Sequence, residues 1–112
     1  MARLIKGDVV VVPFPFSDLS RTNKKRPALV IKDLKGFDLI LCQITSKSRS
    51  DNYSIPLFQK DFKKGTLNKS KSYIRPNRIF TADVRIIIRS IGRIKKTKMD
   101  EVINKLINII TS

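Results

Sequence analysis

The sequence predicts a mainly β protein: a small, twisted, partly closed antiparallel barrel finished by a C-terminal helix. Short β-branched runs separated by turn residues recur along most of the chain, two of them flank a Lys35-Gly36 turn signal, and helical spacing appears only near the end. The 112 residues fit one domain, 1–112, and at that length roughly two thirds of the unfolded surface can be buried. No repeat or internal linker divides the chain.

Gly7-Asp8 punctuates the start of Val9-Val10-Val11-Val12, a run suited to a strand covered on both faces or paired at the centre of a sheet. Pro13-Phe14-Pro15-Phe16 ends it, because two prolines remove two backbone donors. Phe14 and Phe16 can pack inward or stack on a base, and the scarcity of aromatic residues favours an inward Phe16. Residues 17–23 are polar and aperiodic, a surface loop carrying Asp18 and Arg21. Asp18 reads either as a turn former or as the loop's one carboxylate for a site.

That loop runs into Lys24-Lys25-Arg26-Pro27-Ala28-Leu29-Val30-Ile31, where a cationic cluster meets an apolar strand. Proline lacks an N–H and extends the residue before it, so Pro27 suits the first position of a strand and Arg26 its solvent-facing mouth. Leu39-Ile40-Leu41-Cys42-Gln43-Ile44 supplies the partner strand. A hairpin centred between Lys35 and Gly36 pairs positions that sum to 71. Val30 then faces Leu41, Ala28 faces Gln43 and Arg26 faces Thr45, so a guanidinium sits beside Gln43, Thr45 and Ser46 at one hairpin end.

Residues 46–52 read as a loop with Lys47 and Arg49, and Tyr53-Ser54-Ile55-Pro56-Leu57 as an edge strand, since Pro56 cannot donate within a sheet. Residues 59–71 are polar and basic and read as loop. Arg75, held extended by Pro76, repeats the Arg26-Pro27 device, and Arg78-Ile79-Phe80-Thr81 is a short strand. Ile86-Ile87-Ile88 begins a last strand running to Ile94, for about five or six strands in all. Met99, Val102, Ile103, Leu106, Ile107 and Ile110 keep helical spacing, with Thr97 as N-cap and Asp100 three residues on. That helix is laid over a sheet or used in a dimer.

The formal net charge is +15, from 24 Lys and Arg against 9 Asp and Glu. Solubility does not require so much, and the excess points to an anionic partner, nucleic acid first and an acidic protein second. A basic run is ordinarily a solvated surface, but here the same sign recurs on nearly every loop. Cys42, the single cysteine, lies in an apolar strand and reads as a buried structural thiol in a reducing compartment. Without histidine the chain shows no zinc pattern, and no apolar run reaches signal or membrane-span length, so the expectation is a cytoplasmic protein with no metal, cofactor or membrane association.

Gly7-Asp8-Val9-Val10, Lys25-Arg26-Pro27-Ala28-Leu29-Val30-Ile31, Gln43-Ile44-Thr45-Ser46 and Arg78-Ile79-Phe80-Thr81-Ala82-Asp83 resemble, in order and spacing, the MazF/PemK family of bacterial toxins. The resemblance covers nearly the whole chain. It implies an SH3-like barrel that forms a homodimer, cleaves single-stranded RNA without metal and is restrained by an antitoxin. It also implies that Arg26 and Thr45 are the catalytic pair. The chain departs from the family at Asn77-Arg78-Ile79-Phe80, where many members carry Glu-Gln-Ile-Arg, and at Phe14-Pro15-Phe16, which bears on the RNA sequence chosen.

The chemistry these residues support needs no outside nucleophile, because RNA's 2′-hydroxyl can attack the adjacent phosphorus to give a cyclic phosphate and a 5′-hydroxyl end. Arg26 can grip the non-bridging oxygens with a planar fork, and Thr45 and Ser46 can donate to the same phosphate. The general base stays open among Asp18, water and Arg26, although an arginine remains protonated in almost every environment. Asp18, Arg21, Lys24, Lys25 and Gln43 are expected RNA-binding residues on the first loop and hairpin. Ser46, Lys47, Arg49, Arg75 and Arg78 complete the set. The rival reading is a non-catalytic basic binder on the same barrel, an RNA-binding module or a toxin resembling the gyrase poisons.

Overall fold

The computed structural model describes residues 3–13, 24–47, 50–67 and 69–112. Among them are seven strands, β1 (Asp8–Pro13), β2 (Lys25–Asp33), β3 (Asp38–Thr45), β4 (Ile55–Phe58), β5 (Phe62–Gly65), β6 (Lys71–Asp83) and β7 (Arg89–Ile94), and one helix, α1 (Lys96–Thr111). The strands pair antiparallel in the order β4-β6-β3-β2-β1-β7-β5 and curl into a nearly closed barrel. Almost equal extents of 32 × 31 × 31 Å fit a curled sheet rather than a flat one.

The valine run occupies the expected place, between β2 and β7 with both faces buried. Alternation then divides the apolar residues into two cores. Val9, Leu29, Ile31, Cys42, Ile44 and Ile74 point to one side, where Met99 and Val102 of α1 join them. Val10, Val12, Ala28, Val30, Leu41 and Ile87 fill the other. Cys42 is fully buried, as its strand position implied, and burial pushes its thiol pKa well up.

The hairpin has the expected register, Ala28 with Gln43 and Val30 with Leu41. A bulge at Ile31 then shifts the ladder, and Gly36, at φ 81°, completes a turn closed by Leu34 N–H donating to the Asp38 carbonyl at 3.0 Å. Pro27 is the third residue of β2 rather than the first, opposite Val11, and Arg26 opposite Val12 is half-buried rather than fully solvent-facing. β4 is an edge strand.

Four further expectations are corrected. The described residues form seven strands, not five or six, because the polar stretch 59–71 contains β5, which pairs with β7. Gly65 permits that pairing: at φ 80° it lies against Gly92, and a Cβ there would stand 2.1 Å from the Ile91 carbonyl oxygen. Residues 84–86 form a 3-10 turn rather than a strand start, because the Asp83 carboxylate accepts from Arg85 N–H and bends the chain before β7. Residues 78–81 belong to the thirteen-residue β6, which bulges at 76–78 where its pairing with β3 shifts.

Finally, α1 begins after Lys95 with no side-chain cap, so Thr97 lies inside the first turn. Lys98 holds the helix down by donating to the Pro56 carbonyl at 3.2 Å and approaching Asp61 at 3.7 Å. Met99 and Val102 are buried, whereas Ile107 and Ile110 at the far end are exposed. No helix among the described residues is long and apolar enough to cross a membrane.

Candidate active site

Where β2 begins and β3 ends, a cavity of about 350 Å³ opens between them and the segment after β5. Strand β2 contributes Lys25, Arg26 and Pro27, while the end of β3 contributes Ile44, Thr45 and Ser46. Thr66, Leu67 and Lys69 close a second side, with Ser72, Arg89 and Ile91 completing the wall beside Val11. Alternation sets Lys25, Pro27, Ile44 and Ser46 on one face of the sheet and Arg26 and Thr45 on the other. Both sets line the cavity because it lies at the strand ends. Arg26 and Thr45 stand two residues beyond the last registered pair, Ala28 with Gln43, and continuing that ladder places them opposite each other.

The cavity's charged residues are Lys25, Arg26, Lys69 and Arg89, and no carboxylate is among its described lining. Such a wall favours an anion, because unopposed cations in a concave, partly apolar surface focus positive potential. Four hydroxyl residues, Thr45, Ser46, Thr66 and Ser72, stand among them. Thr45 is 3% exposed, and its Oγ1 accepts from Lys47 N–H at 3.2 Å, which leaves the hydroxyl proton to donate. Thr66 is differently engaged, its hydroxyl donating to Gln59 Oε1, with Gln59 Nε2 donating to the Gly65 carbonyl at 2.9 Å. The Gly65–Gly92 approach thus fixes one wall of the cavity.

Of the residues expected at a site, Lys25, Arg26, Thr45 and Ser46 come together here. Lys24 and Lys47 are exposed beside them. Gln43 and Arg75 face each other across β3 and β6 but are buried, 5% and 9% exposed, and neither lines the cavity. Among the described residues Gln43 Oε1 and Arg75 Nε meet no hydrogen-bond partner, whereas Arg75 Nη2 reaches Asp51 Oδ2 at 3.4 Å.

Burial is the largest influence on Asp51 and raises its pKa. The amides of Ser54 and Tyr53, the Ser54 hydroxyl and Arg75 together outweigh it and hold the carboxyl below the usual range. Arg75 therefore anchors the loop carrying Asp51. Arg78 is exposed on the β6 bulge, away from the cavity. Asp18, Arg21 and Arg49, like Phe14 and Phe16, lie outside the described residues.

Sequence reasoning missed Arg89, Ser72 and Thr66, and noted Lys69 only as part of a basic run. Arg89 could have been reached through Asp8: Arg93 Nε donates to Asp8 Oδ1 at 2.7 Å, which aligns β7 with β1 and brings Arg89 opposite Val11. Among the described residues, no three His, Cys, Asp or Glu side chains gather as a metal ion would need.

Residues 5–110 match the family model described as PemK-like, MazF-like toxin of type II toxin-antitoxin system. The chain belongs to this family. No curated protein sequence matches it. Solved structures share the MazF-like fold at low identity. An endoribonuclease in complex with its cognate antitoxin from a mycobacterial species superposes with a TM-score of 0.73 at 14% identity, over 96% of this chain and 95% of that one. MazE-MazF from Deinococcus radiodurans gives 0.72 at 17% identity, over 96% and 95%. Toxin MazF-mt6 of Mycobacterium tuberculosis gives 0.70 at 15%, over 92% and 95%. In this MazF-like chain the four segments that carry the sequence resemblance fall on or beside β1, β2, β3 and β6, and the cavity lies where β2 begins and β3 ends.

Proposed function

We propose that this toxin is a metal-independent endoribonuclease that cleaves single-stranded RNA in the cavity where β2 begins and β3 ends, thereby stopping translation. The observation that carries the reading is the meeting of Arg26 and Thr45, from separate strands, at a cavity whose described charged lining is all cationic. In the step proposed, the 2′-oxygen forms a bond to phosphorus as the bond from phosphorus to the 5′-oxygen breaks. The attacking hydroxyl gives up its proton and the departing 5′-oxygen gains one, leaving a 2′,3′-cyclic phosphate and a 5′-hydroxyl. Arg26 stabilises the charge that builds on the non-bridging oxygens, a role suited to a fixed planar donor. The Thr45 hydroxyl donates to the same phosphate, while Lys25, Lys69 and Arg89 hold neighbouring phosphates.

The reading extends to partners. A type II toxin works beside an antitoxin, and a +15 protein calls for an acidic one that folds over the basic face near Arg26. Two of the superposing structures are toxin–antitoxin complexes. The family resemblance also implies a second copy of the chain, in a homodimer. Toxin, antitoxin and messenger RNA would meet in the cytoplasm.

The test is a digest of single-stranded RNA with metal chelated, followed by mapping of the product ends. Cyclic phosphates and 5′-hydroxyls support the mechanism. RNA that is bound and stays intact supports the non-catalytic binder instead.

A further inference from the structure

The outer edge of the sheet carries an aromatic and basic cluster that neither core uses. Phe58 on β4 and Tyr73 on β6 are half-buried and belong to neither apolar cluster. Lys71 Nζ lies 5.4 Å from the Phe58 ring centre and 5.3 Å from that of Tyr73, and Lys60 Nζ lies 5.6 Å from Phe58. Phe58 faces Lys71 across the β4–β6 pair, and Tyr73 lies between Pro56 on β4 and Thr45 on β3. Residues directly opposite, or two apart along a strand, share a face. Thr45, Tyr73, Lys71 and Phe58 are therefore on one face, which runs ~12 Å from Thr45 to the sheet edge by strand spacing and rise.

Lysines alone would protect an edge strand from pairing with another sheet, and exposed cation–π pairs add little to stability. Neither role calls for two aromatic rings on the same face as the lysines. Unpaired bases stack on aromatic side chains irrespective of sequence, and neighbouring cations take up the phosphates between them. We infer that Phe58 and Tyr73 form a stacking platform for bases of the RNA strand flanking the cleaved phosphate, with Lys60 and Lys71 pairing its backbone. The platform rests on the RNA-cleaving reading of the cavity and lengthens its binding site along β6 to the β4 edge.

The experiment measures affinity for a fluorescent single-stranded 2′-O-methyl RNA, whose blocked hydroxyl prevents cleavage, and for an abasic strand of the same length. Phe58→Leu and Tyr73→Leu each weaken binding of the base-bearing strand about tenfold, the scale of losing one stacked base. On the abasic strand the variants match wild type, and Tyr73→Phe restores the loss. Lys71→Gln lowers the log–log salt slope by about 0.7, as one lost contact to a single strand should. Should the leucine variants fold poorly, a 5-iodouridine strand irradiated on wild-type protein crosslinks to Tyr73 or Phe58, and crosslinks confined to other residues overturn the platform. Leucine variants that bind as tightly as a wild type which binds and cuts RNA overturn the platform and leave the cavity reading standing. A wild type that neither binds nor cuts RNA removes both.

Discussion

Replacing Thr45 by valine exchanges a hydroxyl for a methyl at nearly constant volume, so the change tests chemistry rather than packing. The structure gives the hydroxyl one internal task, accepting from Lys47 N–H at 3.2 Å, in a side chain only 3% exposed. Leaving that amide without its partner costs about 1 kcal/mol, which at this chain length lowers the melting temperature by about 4 °C. If the hydroxyl also donates to the phosphate in the transition state, cleavage falls about 10²-fold, or ~2.7 kcal/mol. The two effects separate, because a slightly less stable protein remains almost wholly folded at assay temperature. Thr45→Ser restores the rate. If Arg26 and Thr45 act on one phosphate, Thr45→Val added to Arg26→Ala lowers the rate little further. Initial rates on a defined oligonucleotide, with melting curves on the same samples, decide the matter. A valine variant that cleaves within about threefold of wild type despite the stability loss would refute the role, since a lost transition-state donor costs far more.

Two predictions concern the fold that holds the site. Gly65→Ala introduces a Cβ 2.1 Å from the Ile91 carbonyl oxygen at a φ of 80°, and should destabilise the protein by about 3 kcal/mol or more. Gly36→Ala meets no atom within 4 Å and should cost only about 1 kcal/mol from its positive φ; equal melting temperatures for the two variants would contradict this account of the β5–β7 contact. Asp83, hydrogen-bonded first to the Arg85 side chain and then to its amide, has a pKa lowered to about 2. A depressed carboxylate stabilises the fold above its unfolded pKa and loses that contribution as pH falls through the folded one. The melting-temperature gap between wild type and Asp83→Asn should therefore be full near about pH 5 and shrink toward about pH 2, and a constant gap would show that the ion pair contributes nothing that titrates.

The hairpin was legible because its signals agree: Gly36 permits the turn, and alternating apolar residues on both sides select one register. The valine run and the last helix were legible for the same reason, one period sustained over several residues. Strand β5 was not, because Phe62-Lys63-Lys64-Gly65 has one apolar residue and owes its conformation to a backbone contact with Gly92, more than twenty residues away. Ile86-Ile87-Ile88 misled in the opposite direction. Three β-branched residues favour a strand, but the Asp83 cap bends the chain and buries only Ile87 among them. In the site, Arg26 and Thr45 followed from the hairpin register, whereas Arg89 required the β1–β7 pairing. Arg75 resembled Arg26 locally, yet its place opposite Gln43 and its link to Asp51 are properties of the assembled sheet.

Whether a planar guanidinium at position 26 drives metal-independent cleavage is tested by Arg26→Lys, which keeps the charge while removing the fork. Wild type and variant are compared on the same RNA, with metal chelated, after equilibrium binding and melting have been matched. The lysine protein is expected to bind RNA and melt as wild type does while cleaving at least ~10²-fold more slowly. Cleavage by the lysine protein at the wild-type rate, with the same cyclic-phosphate ends, would contradict this expectation and make Arg26 one cation among many.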